Sequence, residues 1–203
     1  MIFEIAAPHF GLPCSLWIPI AAATVDDIRK YVGRVLRSIT DSGSGRVNAL
    51  LVETAAAPPE EPGVPLWKSP QASQARQRLY PPRQVWVHVD YRGYRQAYGQ
   101  FGMPAIPAGY FLDHIQNRRA IRQRSYSHPY LRLCPVSRTV NTSGGHAAGG
   151  EGMERAFLAT HAKTLPQHRM IYADPMDLTK MLDIPPGTQV LDGVRDTQGL
   201  FYP

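Results

Sequence analysis

The chain has 203 residues, enough for one ordinary hydrophobic core, or one domain with a substantial appendage. Hydrophobic residues at 43% argue against a disordered polymer, and 19 prolines with 17 glycines against 19% charged residues argue against a helical bundle. The net charge of +6 favours a polyanionic partner, and two cysteines, Cys14 and Cys134, are too few and too far apart for a disulfide framework or a zinc site.

The apolar run "LPCSLWIPIAAA" (Leu12 to Ala23) has no basic segment before it, contains two prolines and is too short to span a bilayer. The expectation is no signal peptide, no transmembrane helix and no membrane partner. That leaves a cytoplasmic location, or delivery into a target cell by a dedicated secretion system. Residues 1–55 then read as a small α/β unit. Thr24 caps a helix whose first turn carries Asp26 and Asp27, and Ile28, Val32, Val35 and Leu36 follow at helical spacing. "RVNALLVET" reads as a buried strand.

Residues 56–80 are rich in proline at their start and read as a linker or surface loop, with a helical turn in "ASQARQRLYPP". Residues 81–165 carry the chemistry. In "RQVWVHVDY" the valines 85, 87 and 89 alternate with Trp86, His88 and Asp90, a strand pattern in which His88 is a structural histidine. "GYRQAYGQFGMPAIPAGYF" mixes glycine, proline and aromatics, the texture of a loop-rich site wall. After Gly150, "EGMERAFLATHAK" reads as an amphipathic helix. Residues 166–203 read as a docked extension with another short helix in "DPMDLTKMLD".

Charge is concentrated. Between Arg83 and Arg138 there are nine arginines, no lysine and only two acids, Asp90 and Asp113, a surplus of seven positive charges. Arginine's planar fork suits bidentate phosphate contact, which makes Arg118, Arg119, Arg122, Arg132 and Arg138 candidate nucleic-acid contacts. Inside this segment "FLDHI" puts Asp113 and His114 at the end of an apolar run. "YLRLCPVSRTVN" follows as a short strand, Tyr130 to Cys134, with Pro135 in the first turn of a helix carrying Asn141. A plainer reading makes Asp113 the N-cap of a helix over "IQNRRAIRQR" and Asn141 a turn residue before "TSGG".

The order strand with Asp-His, excursion, short strand, helix with Asn resembles the ββα-metal (His-Me finger) nucleases of the HNH and endonuclease VII group, over roughly residues 111–151. "LRLCPVSRTVN" is similar to their "L-L-C-x-x-C-N" segment without the zinc-type cysteines. The resemblance implies an α+β fold, with a small ββα-metal core embedded in an irregular, loop-rich domain beside the N-terminal α/β unit. It also implies a metal-dependent endonuclease hydrolysing DNA rather than RNA.

By the motif, His114 would be the general base. Asp113 and Asn141 would hold one divalent ion, Mg²⁺ first and Mn²⁺ as the alternative; Asn117, His146 and Glu151 would be secondary supports. By analogy such a domain fits a bacterial toxin with an acidic immunity protein as partner, or a phage or mobile-element enzyme. The rival expectation is a non-catalytic nucleic-acid-binding or phage assembly protein that grips phosphate through the arginine stripe.

Overall fold

The computed structural model describes residues 18–55, 77–123, 127–141, 169–173, 177, 180, 181 and 183. Seven strands and three short helices are defined over them: β1 Pro19–Ala22, α1 Val25–Tyr31, β2 Gly33–Thr40, β3 Val47–Thr54, β4 Arg83–His88, α2 Tyr94–Gln100, β5 Tyr110–His114, α3 Arg118–Gln123, β6 Tyr130–Ser137 and β7 Met170–Tyr172. Further helical residues lie at 77–79, 138–141, 177, 180 and 181.

All strand pairings are antiparallel, in the order β2-β3-β4-β6-β1-β7 with β5 also on β6. The sheet curls into a half-barrel. This corrects the expected ββα-metal core. The pair β5–β6 does run into the helical turn 138–141, but β6 also pairs with β4 and β1, which makes it an interior strand of the wide sheet. The cause is in the side chains. Leu131 and Val136 are fully buried, and a strand this apolar is stable only with neighbours along its edges and layers over its faces.

Both faces of the sheet are covered. Ala49, Leu51, Val85, Val87 and Leu133 pack under Ala97, Tyr98 and Phe101 from α2 and its C-cap. Leu50, Val52 and Trp86 pack on the other face against Ile28 and Val32 at α1. "NALLVET" is therefore apolar without alternation because successive residues enter different cores.

At the N-terminal end the cap forms as expected, with the Asp27 amide donating to Thr24 Oγ1 at 3.1 Å. The helix is shorter than its apolar spacing implied. Val35 and Leu36 lie in β2, since the chain turns at Val32–Gly33 and pairs Gly33 with Thr54. Gly33 is required there by closeness alone: a Cβ would sit 2.0 Å from the Glu53 carbonyl oxygen.

Further along, the expected loop over Tyr94–Gln100 is the helix α2, and the irregular wall is confined to residues 103–109. Pro135 does not start a helix. It lies within β6 opposite Leu112, and the helical turn begins after Ser137, whose Oγ accepts from the Val140 amide at 3.3 Å. Among the described residues no helix is long and apolar enough to cross a membrane.

Candidate functional site

His114 ends β5 opposite Leu133. It is 5% exposed, and the Tyr94 ring meets it edge-on with centroids 4.7 Å apart. Its Nε2 has no hydrogen-bond partner among the described residues. Burial first, and the Arg118 charge second, push the imidazole down to about 4 against an opposing pull from Asp113. The ring is therefore neutral at pH 7, with one of its two nitrogens a proton acceptor.

The arginines around it are placed by α3. Asn117 caps this helix, accepting from the Arg119 amide at 2.8 Å, which assigns it a structural task. Arg118 donates its Nε to the Val89 carbonyl at 2.8 Å. Arg122 reaches Asp90 Oδ1 with Nη2 at 3.0 Å and the Val89 carbonyl at 3.2 Å. These contacts tie α3 to the end of β4, so two cations stand on the histidine's side of the sheet. Arg119 and Arg138 are exposed. His88 is structural: its Nδ1 accepts from the Asp90 amide at 3.2 Å, and its ring meets Tyr130 edge-on.

Asp113 faces the other way, since neighbours on a strand alternate sides. It stands opposite Cys134, and its Oδ2 forms an ion pair with Lys180 Nζ at 2.5 Å; the same ammonium donates to the His114 carbonyl at 3.3 Å. Asn141, half-buried, belongs to the helical turn 138–141. An ammonium already pairs with the Asp113 carboxylate, and the adjacent imidazole points to the opposite face of the strand. Among the described residues no group of three or more His, Cys, Asp or Glu side chains could hold a metal ion. His146 and Glu151 lie outside the described residues.

Arg132 is not on the surface. It is 2% exposed within β6 and donates Nη2 to the Leu79 carbonyl at 2.8 Å. It forms part of the wall of a cavity of about 600 Å³ together with Gln84, Leu133 and Cys134. A second cluster joins Asp183 to β5 and β6. Asp183 accepts from the Tyr110 hydroxyl at 2.6 Å and the Ser137 amide at 3.1 Å, and Arg78 is 3.9 Å away.

Sequence reasoning missed both features. Part of the signal was present: Gln84 before "VWV" and Arg132 inside "YLRLC" are polar residues in otherwise apolar strands, a pattern that marks buried polar positions. No family model, no curated protein and no solved structure compared with the chain matches it.

Proposed function

We propose that the chain acts on nucleic-acid phosphodiesters, DNA foremost, with His114 as the base that takes a proton from the attacking water. One observation carries this reading: a buried imidazole, whose Nε2 has no partner among the described residues, sits at the end of β5 within the field of Arg118 and Arg122. Hydrolysis needs water to give up a proton to a base, the resulting oxygen to attack phosphorus, and the phosphoryl oxygens to be neutralised. Guanidinium groups suit the last task. An anionic phosphate beside the imidazole would also raise its basicity, so substrate would prime a base that is weak in the free protein. Because His114 is 5% exposed, substrate has to displace part of its covering, of which the Tyr94 ring is in edge contact.

The burial of that imidazole, with the Asp113–Lys180 ion pair, favours a second reading: a nucleic-acid-binding protein without catalysis, gripping phosphate through exposed Arg119 and Arg138. Supercoiled plasmid and a single-stranded oligonucleotide incubated with the full chain in Mg²⁺, Mn²⁺ or EDTA separate the two. The first reading expects cutting that falls about 10²–10⁴-fold in His114→Ala while gel-shift binding persists. Binding with no cutting under any of the three conditions establishes the second. Cutting that survives His114→Ala refutes the base assignment.

A further inference from the structure

β4 and β6 pair only over Trp86–His88 and Tyr130–Arg132. Before Trp86 and after Arg132 no pairing joins them, and the cavity of about 600 Å³ opens there, walled by Gln84 and Val85 on one side and Leu133, Cys134 and Pro135 on the other. Tyr98, Met103 and Met181 add apolar surface. The volume lies within the range of small-molecule sites, which are characteristically apolar with a few polar groups that fix orientation.

Two of the cavity's polar groups are buried donors with no acceptor among the described residues: Arg132 Nη1 and Gln84 Nε2. The amide orientation of Gln84 is fixed, because its Oε1 accepts from Trp86 Nε1 at 3.1 Å and that indole can only donate. Trp86 stands opposite Arg132, so Gln84, two residues along β4, shares its face of the sheet. The Arg132 guanidinium donates only to backbone carbonyls, those of Leu79 and Arg78. The carboxylate that β5 brings to this face, Asp113, is held by Lys180. A buried guanidinium with no counter-charge among the described residues is costly, and burial depresses it to about 10. An unsatisfied N–H beside it adds to the cost.

We propose that the cavity is a binding site for an amphipathic organic carboxylate. Its head accepts from Arg132 Nη1 and Gln84 Nε2, and its hydrocarbon body lies against Val85, Tyr98, Met103, Leu133 and Met181. A carboxylate fits better than a phosphate dianion. Its single charge matches the single buried guanidinium, the other two arginines on the cavity wall, Arg78 and Arg83, being exposed. The site uses Tyr110 at the start of β5 and does not include His114 at the strand's other end, so it stands or falls independently of the phosphodiesterase reading.

Calorimetry and thermal melting of the full chain with decanoate, decanol and inorganic phosphate test it. Decanoate is expected to bind and raise the melting temperature, with decanol at least about tenfold weaker and phosphate without effect. Arg132→Met, which removes the charge and keeps the bulk, should abolish the preference for decanoate over decanol.

Gln84→Glu keeps the acceptor for Trp86 and supplies an internal carboxylate to Arg132. It should raise the melting temperature of the ligand-free protein and abolish decanoate binding. Should Arg132→Met fail to fold, Gln84→Glu and the decanoate-to-decanol comparison decide alone. Equal binding of acid and alcohol, absence of decanoate binding, or undiminished decanoate binding in Gln84→Glu each overturns the proposal.

Discussion

His114 shows how one side chain can carry both a stability cost and a chemical capacity. Its folded value of about 4 lies below the ordinary 6.5 because burial disfavours the imidazolium. Above pH 6.5 neither folded nor unfolded protein protonates it, and stability is unaffected. As pH falls from 6.5 towards 4 the unfolded chain takes up a proton that the folded one refuses, so stability declines, and below 4 the loss is complete. The full effect is roughly 3 kcal/mol. Urea unfolding of wild type and His114→Gln at several pH values checks this. The variant should lack this component of the decline between pH 6.5 and 4, and an identical decline in both would show that the imidazole is not held neutral.

Much of the element order was readable, and the errors share a cause. β3, β4 and the Thr24 cap were legible because apolar runs and a capping hydroxyl are local signals. The spacing of Ile28, Val32, Val35 and Leu36 satisfied a helix, yet a strand begins at Gly33, because pairing with β3 outweighs a four-residue period. Pro135 reads as a helix start by local rules, while its place opposite Leu112 depends on β5, two elements earlier. His114 was recognisable as a strand-end histidine. The Lys180 that claims Asp113 was not, since nothing local links those positions.

Gly33→Ala tests the β2–β3 junction. A methyl 2.0 Å from the Glu53 carbonyl oxygen and 2.7 Å from the Ala55 nitrogen meets backbone on both counts, so the strand start must shift. Denaturant titration should show a loss of about 3 kcal/mol. A loss under about 0.5 kcal/mol would mean that the junction accommodates the methyl, contrary to this packing.

Across the whole molecule, the sheet is closed on the β5–β6 side by contacts from the far end of the chain. Lys180 holds Asp113, Met181 is buried and lines the cavity, and Asp183 accepts from Tyr110 and Ser137. Asp183 carries this attachment in a left-handed backbone conformation, φ 61°, which aspartate tolerates better than most residues. Hydrogen bonds from Ser137 and Tyr110, with the Arg78 charge, hold its carboxyl below the ordinary value against the opposing effect of burial. Its contribution is therefore fully present above the unfolded value of 3.8 and is lost as pH falls through the lower folded one.

Asp183→Ala removes the acceptor and leaves alanine in the left-handed region, for an expected loss of about 2 kcal/mol or more at pH 7. Asp183→Gly removes the same acceptor but not the backbone freedom, and should lose about 1 kcal/mol less than the alanine variant. Cys134 reports the structural consequence. It is buried on the cavity wall, and burial raises its thiol above the ordinary value, so Cys134, followed by itself in a Cys14→Ser background, should react slowly with a thiol reagent in native protein. If Lys180, Met181 and Asp183 are what close that wall, both variants label Cys134 faster at pH 7 in the absence of denaturant. Unchanged labelling alongside the full stability loss would mean that the segment stabilises β5 and β6 without covering the chamber between β4 and β6.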